Sequence, residues 1–200
     1  MHSQLEAWKG EFGNAYHTRQ NPIYEEVKHR LHLWRNVPHL PQCQTILEVG
    51  AGTGANLMAI GQLDERKQLF ALEPNTIAAH QIPPDVSFIY GTAEKIEAAA
   101  NTFDLVFTYG VLIHLADPRF AMKEIYRVSR KYILCAEYFS PARQRVAYRD
   151  GVDLFRDDYG ALWMNDWGVK LISYDFCWKF ATGLDNITWW LFQKPEDGRE

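Results

Sequence analysis

Cysteine is scarce in this chain of 200 residues, and no cysteine pattern of a disulfide framework or zinc site is present. The three cysteines, Cys43, Cys135 and Cys177, form no C-x-x-C pair. Buried thiols in a reducing compartment are the usual state of such residues. The histidines near Cys43 do not complete a metal-ligand set, so no metal is expected.

Long apolar runs and an excess of one charge are also missing. No run reaches the length of a membrane span, and no basic-then-apolar leader opens the chain. Lys plus Arg is 21 and Asp plus Glu is 25, which gives a net charge of −4. That balance argues against broad binding to DNA, RNA or anionic membranes. We therefore expect a cytoplasmic protein, monomeric or homodimeric, with no DNA or membrane partner.

Three closely spaced glycines mark the stretch that organises the chain. Thr45–Val49 is an apolar run that predicts a buried strand, and Ala55–Ile60 continues as a helix. Gly50, Gly52 and Gly54 lie between them, where bare backbone lets a ligand approach closely. The alternative is a strand-to-helix turn in which the glycines serve geometry alone.

Two carboxylates narrow the choice of ligand. Glu48 precedes the glycines, and Glu73 ends a second apolar run about 20 residues further on, the spacing of an acid that bonds ribose hydroxyls. Gly50, Gly52 and Ala55 also fit the G-x-G-x-x-A pattern, so an NAD(P)-binding oxidoreductase is an alternative. Glu48 would repel a pyrophosphate, whereas it would attract a cationic cofactor.

The E-x-G-x-G-x-G motif with its second acid resembles motif I of class I S-adenosylmethionine-dependent methyltransferases. This resemblance implies S-adenosylmethionine as cofactor and an α/β fold. It implies a doubly wound, mostly parallel seven-stranded sheet with an antiparallel C-terminal edge hairpin. By position, the cofactor would contact the glycine motif, the second acid and the segments after strands three and four: Glu48, Gly50, Ala51, Gly52, Gly54, Glu73, Pro74, Thr92, Ala93, Tyr109 and Gly110. For Thr92, a helix cap paired with Glu94 is the alternative.

Further apolar runs at 86–90, 103–108, 132–138, 171–178 and 187–192 predict the remaining strands. Tyr109, Gly110 and His114 follow the fourth strand, where open α/β sheets place ligands. His114 is interpreted either as a general base or, as we favour, as a structural hydrogen-bonding group. Tyr109 and Tyr138 are further candidates to assist deprotonation of an acceptor.

Residues 1–40 are expected to form an N-terminal helical lid on a methyltransferase domain spanning 41–200. Trp8, Phe12 and Tyr16 are spaced as on an amphipathic helix. Its inner face would carry Tyr16 and Arg19, and Arg19 would hold the cofactor carboxylate. A helix that merely packs on the domain is the alternative. Asn21 and Pro22 predict the start of the next helix.

Residues 139–167 read as an irregular, charged insertion that would cap the acceptor site. Arginines and aspartates alternate through it, and Arg149 and Arg156 are the candidate substrate-binding residues. A solvated charged segment without a ligand is the alternative.

Four segments are similar to methyltransferases associated with pseudaminic acid biosynthesis: Glu11–Tyr16, the glycine motif, Tyr132–Tyr138 with Arg149, and Thr188–Phe192. The loop 179–186 departs most from that subgroup. This resemblance implies a small, acidic sugar-like acceptor on a nonulosonic acid or nucleotide-sugar pathway, methylated on oxygen rather than nitrogen. A cofactor-binding regulatory protein without turnover is a further alternative.

Overall fold

The computed structural model describes residues 4–18, 23–149 and 151–195, which form eight α-helices and nine strands. The helices are α1 (Gln4–Lys9), α2 (Glu11–Thr18), α3 (Ile23–Trp34), α4 (Ala55–Leu63), α5 (Thr76–Ala79), α6 (Arg119–Val128), α7 (Tyr159–Trp167) and α8 (Lys179–Thr182). The strands are β1 (Thr45–Val49), β2 (Gln68–Glu73), β3 (Ser87–Tyr90), β4 (Phe103–Tyr109), β5 (Ser129–Glu137), β6 (Gln144–Ala147), β7 (Asp153–Arg156), β8 (Lys170–Cys177) and β9 (Ile187–Gln193). Short 3-10 turns lie at Leu40–Gln42 and Leu112–His114.

Seven strands form one sheet in the order β3-β2-β1-β4-β5-β9-β8. The strands β1 to β5 run parallel, and β9 is antiparallel to both β5 and β8. The predicted doubly wound sheet with an antiparallel edge hairpin is therefore confirmed. The strand order reverses between β1 and β4, and the crevice at such a point is where open α/β sheets bind ligands.

Alternate side chains of the central strands pack against helices on opposite faces. Ile46 joins the apolar cluster that contains Trp34 of α3 and Ile60 of α4. Leu47, one residue later, joins the cluster that contains Met122 of α6 and Trp163 of α7. Burial on both faces explains why these strands read as continuous apolar runs in the sequence.

The N-terminal segment contains two helices where the sequence predicted one. They are α1 and α2, separated at Gly10. Helix α3 packs on the domain through an apolar face, since Val27 and Trp34 are buried and Ile23 packs against the same core. Arg19 and the predicted cap at Asn21 and Pro22 lie outside the described residues.

The prediction of irregular structure over 139–167 was wrong. The segment holds a β6–β7 hairpin and the helix α7, whose first turn is capped by Asp158 Oδ1 accepting from the Ala161 amide at 2.8 Å. The segment also has an apolar face between its charged residues. Leu154, Tyr159 and Trp163 on this face are buried in the second core cluster, the one that contains Met122 of α6.

The helix-cap interpretation of Thr92 was also wrong. Thr92 follows β3 in a turn that is closed by a bridge to Lys95, and no helix begins there. Within the described ranges, none of the helices is long and apolar enough to cross a membrane.

Candidate active site

The glycine loop leaves β1 with left-handed backbone at all three glycines. Gly50, Gly52 and Gly54 have φ values of +72°, +54° and +82°. A Cβ on Gly50 would lie 2.5 Å from Val111 Cγ2, and one on Gly52 would lie 3.3 Å from His17 Cε1. The loop therefore needs glycine both for its conformation and for its close contacts. The following residue, Ala55, opens helix α4.

Glu48 places a buried carboxylate beneath this loop. Its side chain is 2% exposed, and Oε1 accepts a hydrogen bond from Asn56 Nδ2 at 2.7 Å. Trp34 Nε1 fixes that amide by donating to Asn56 Oδ1 at 3.1 Å. Glu48 Oε2 has no partner among the described residues. Burial raises the pKa of Glu48 to about 8, with a contribution from the like charge of Glu73.

Glu73 closes the other side of the loop from the end of β2. Its two oxygens accept from the backbone amides of Gly52 at 2.8 Å and Asn75 at 2.9 Å. Burial raises the pKa of Glu73, while both amide bonds oppose that shift. The negative charge of Glu73 is close enough to add to the raised pKa of Glu48. Pro74 follows directly at the strand end.

Arg30 of α3 enters the same region, which sequence reasoning missed. Its Nη1 donates to the Tyr109 hydroxyl at 2.9 Å, and its guanidinium carbon lies 4.0 Å from the centroid of that ring. Glu26 pairs with Arg30 at 3.3 Å, and Arg30 Nε is buried without a partner among the described residues. The positive charge of Arg30 favours ionised Glu48.

The loop after β4 is organised by Glu137, a second residue that sequence reasoning missed. This fully buried carboxylate accepts from the amides of Val111, Leu112 and Ile113 at 3.1–3.3 Å. Burial raises the pKa of Glu137 to about 7 against the effect of these hydrogen bonds. Gly110 starts the loop at φ +69°.

His114 lies at the end of that loop, under the N-terminal helices. Its ring centroid is 4.5 Å from that of Trp8, and its carbonyl accepts from Gln4 Nε2 at 2.8 Å. Burial lowers the pKa of His114 to about 4. The imidazole is therefore neutral near pH 7, which suits a structural role better than that of an efficient base.

The helices α1 and α2 lie over the glycine loop and its neighbours. Trp8 contacts Tyr16 edge to face at 5.1 Å, and His17 lies against Gly52. Asn75 fastens the helices to the end of β2, because its Nδ2 donates to the Trp8 carbonyl at 3.0 Å and to Asn14 Oδ1 at 2.9 Å. Tyr16 thus lies in the layer over the loop.

Thr92 and Ala93 lie just beyond β3, on the same edge of the sheet. Their strand pairs with β2 so that Tyr90 is opposite Glu73. Both side chains are half-buried, and Ala93 packs against the second core cluster. The structure therefore brings them to the edge that carries the glycine loop.

A cavity of about 990 Å³ opens at the same edge, beside β5, β9 and β8. Its walls are largely aromatic, with Tyr138, Phe139, Tyr174, Phe176 and Trp190. Arg156 lines it, while Arg149 instead lies over the Tyr148 ring at 5.7 Å. The structure therefore brings Arg156 together with Tyr138 and leaves Arg149 apart.

The arrangement fits a cationic cofactor. An unpartnered buried carboxylate oxygen, bare loop backbone and a second acid within charge range provide acceptors for a positive group and for hydroxyls. A pyrophosphate would instead meet two carboxylates at this loop, which opposes the NAD(P) alternative.

Comparison with known proteins agrees with this geometry. Residues 47–133 match the methyltransferase domain family. A methyltransferase of Schizosaccharomyces pombe is 28% identical over 131 residues, covering 53% of this chain and 47% of that protein. The chain spans under half the length of the curated relatives that it matches.

Solved structures show the same fold. A Thermotoga maritima S-adenosylmethionine-dependent methyltransferase superposes with a TM-score of 0.69 at 16% identity, covering 96% of this chain and all 100% of that one. Synechocystis magnesium protoporphyrin IX methyltransferase, crystallised with bound S-adenosylmethionine, gives 0.68 at 8% identity and 98% coverage of both chains. The described chain therefore has the fold of these S-adenosylmethionine-dependent methyltransferases, and its residues 47–133 match a methyltransferase domain.

Proposed function

We propose that this chain transfers a methyl group from S-adenosylmethionine to a hydroxyl of a small, acidic, sugar-like acceptor, such as a nonulosonic acid or its nucleotide conjugate. The observation that carries the proposal is the aromatic cavity with Arg156 on its wall, at the sheet edge that also holds the glycine loop. S-adenosylmethionine supplies a methyl group already activated on a positively charged sulfur.

The cofactor would be held by the loop and its two acids. Glu48 offers its unpartnered Oε2 to a positive group, and Glu73 offers oxygens to ribose hydroxyls once the Gly52 amide is exchanged. Arg30 offers a buried guanidinium nitrogen to a carboxylate. Gly110, Thr92 and Ala93 would border the adenosine, by their positions at the ends of β4 and β3.

The acceptor would lie in the cavity beside Tyr138. Aromatic walls match the apolar faces of a sugar ring, and Arg156 presents a planar pair of donors to a carboxylate or phosphate. Methyl transfer gains most from alignment in a water-poor site, so the walls would serve mainly to orient the hydroxyl.

Tyr109 and Tyr138 would act as hydrogen-bond donors rather than as bases. Burial raises the pKa of both phenols, and the charge of Asp185 adds to this, so both keep their protons near neutral pH. His114 would shape the loop after β4, because it is buried beneath Trp8.

The helices α1 and α2 would form a lid. They cover the glycine loop through His17 and are tied to the β2 end through Asn75 and to the β4 loop through Gln4. A ligand reaching Gly52 must displace this layer, so cofactor entry would require the lid to lift.

Two measurements test the proposal. Titration calorimetry should give micromolar binding of S-adenosylmethionine with no binding of NAD, and a methylation assay should detect transfer to N-acetylneuraminic acid or its cytidine monophosphate conjugate. Arg156→Ala should raise the acceptor KM about tenfold or more through the lost charged contact. The matched control Arg145→Ala changes a neighbouring arginine that pairs with Asp153 and does not line the cavity.

Cofactor binding with no transfer to any sugar acid would refute the acceptor class. Cofactor binding with no transfer to any acceptor in a cell extract would support the regulatory alternative. Methylation of amines alone would refute the preference for oxygen.

A further inference from the structure

The loop between β8 and β9 forms part of the cavity wall and is packed against the sheet and α3. Leu184 within the loop and Ile187 at the start of β9 are each 1% exposed. Gly183 ends α8 at φ +75°, and a Cβ there would collide with the His29 ring of α3. Asn186 Oδ1 accepts from the Lys179 amide at 2.9 Å. The loop is thus anchored both to the sheet and to the helix that carries Arg30.

Two opposite charges project from this loop into the cavity. Lys179 Nζ lies 3.2 Å from Asp185 Oδ1, and both residues line the cavity. Their side chains are 62% and 58% exposed, so the ion pair itself adds little to stability. A ligand that satisfies both charges can therefore replace the pair at small cost.

Asp185 also faces the phenols at the ends of β4 and β5. The Tyr138 hydroxyl is 3.4 Å from Asp185 Oδ2. The charge of Asp185 raises the pKa of both Tyr138 and Tyr109. Tyr109 in turn contacts Arg30, whose charge reaches Glu48 under the glycine loop. Asp185 therefore lies where the acceptor cavity adjoins the cofactor side of the sheet edge.

We propose that Lys179 and Asp185 bind two ends of the acceptor, Lys179 its anionic group together with Arg156, and Asp185 the hydroxyl that is methylated. This inference rests on the proposed function. An anion bound to Lys179 releases Asp185 Oδ1 from the ion pair, so this oxygen becomes available to accept a hydrogen bond from the acceptor hydroxyl. The acceptor class is thus an acid that also carries a hydroxyl, rather than an acid or an alcohol alone.

The proton balance is simple. As the acceptor oxygen forms its bond to the methyl carbon and the carbon–sulfur bond breaks, the hydroxyl proton passes to the Asp185 carboxylate. The sulfur leaves as a neutral thioether, and Asp185 later releases the proton to water. One positive charge is lost at sulfur and one proton is gained by solvent, so charge is conserved.

Lys179→Ala, Asp185→Asn and the control Asp166→Asn test this assignment. Asp166 is a carboxylate paired with Arg119 that lines no part of the cavity. In calorimetry with N-acetylneuraminic acid and no cofactor, Lys179→Ala should weaken binding about tenfold, and the control should not change it. In the methylation assay, Asp185→Asn should lower kcat about 100-fold, with a much smaller change in KM.

The outcomes separate the two proposals. No binding of S-adenosylmethionine by the wild-type chain refutes the proposed function itself. Methyl transfer to the sugar acid by the wild type, with wild-type acceptor binding in Lys179→Ala and wild-type kcat in Asp185→Asn, overturns this inference alone. Wild-type kcat in Asp185→Asn removes the role of Asp185, and unchanged acceptor binding in Lys179→Ala removes that of Lys179. Should Asp185→Asn denature at a lower temperature than the wild type, Asp185→Ser provides the second variant, with the same kcat loss expected.

Discussion

Replacing Glu48 with glutamine should make the protein less sensitive to alkaline pH while weakening its hold on the cofactor. Burial raises the pKa of Glu48 from 4.5 to about 8, so the folded chain binds a proton that the unfolded chain has released between these values. Because the folded state holds more protons there, the free energy of unfolding falls as pH rises through this window. Glutamine keeps an oxygen for Asn56 Nδ2 and has no proton to lose.

The magnitude follows from the shift. With about 1.4 kcal/mol per pKa unit, ionising Glu48 in the folded state should cost the wild type on the order of 4 kcal/mol between about pH 5 and pH 8.5. Glu137, whose pKa is also raised, to about 7, contributes equally to both proteins and cancels in the comparison. Urea denaturation at the two pH values, followed by tryptophan fluorescence, measures the difference.

Adding S-adenosylmethionine completes the test. At about pH 8.5 the positive sulfonium should restore much of the lost stability of the wild type, because it offsets the buried negative charge. The glutamine variant should gain far less. Stability curves of the two proteins that run parallel from acid to alkaline pH would refute the reasoning, and so would equal stabilisation by the cofactor.

Three further predictions concern the loop, the imidazoles and the lid. Gly52→Val should abolish binding of the cofactor in calorimetry. The control Gly168→Ala should preserve it, because Gly168 has a similar φ of +61° and nothing lies within 4 Å of the position that its Cβ would take. Cofactor binding by both variants would contradict the loop assignment. Burial lowers the pKa of His17 and His114 to about 4 each, so the NMR signals of these imidazoles should not titrate between about pH 5.5 and 8. For the same reason the free energy of unfolding should fall as the pH drops from about 6.5 towards 4. Titration of both imidazoles near pH 6.5 would be contrary evidence. Asn75→Ala removes two hydrogen bonds to the N-terminal helices and the α5 cap, so urea denaturation should show a free energy of unfolding lower by about 2–4 kcal/mol. Proteolysis near α1 should also be faster. An unchanged cleavage pattern would argue against the proposal that Asn75 holds α1 and α2 as a lid.

The sheet could be predicted from the sequence because its central strands are buried on both faces. Thr45–Val49 agrees with β1 in both bounds, and each of the other main strands lies within a few residues of its apolar run. The two acids and the glycines could be predicted for a related reason. They lie at the carboxyl ends of neighbouring parallel strands, so their spacing in the sequence indicates that they come close together.

The rest of the site depends on contacts that spacing does not encode. Arg30 meets Tyr109 across 79 residues, and Glu137 meets the Leu112 amide across 25. In the sequence, Glu137 looks like any acid at a strand end. Its role depends on hydrogen bonds from three backbone amides, which face it only once the loop after β4 has folded. The available signal was an acid in the last two residues of a strand, as Glu137 is in β5, Glu73 in β2 and Glu48 in β1.

The position of β9 has a consequence for biosynthesis. This strand is made after β8 yet lies between β8 and β5, so β8 has no place in the sheet until residues 187–193 have left the ribosome. The parallel strands β1 to β5 can assemble first, while Tyr174 and Phe176 of β8 still lack the neighbouring strand β9. The wall of the aromatic cavity is thus completed last, together with this edge of the sheet. A nascent chain arrested before β9 should expose β8 to chaperones.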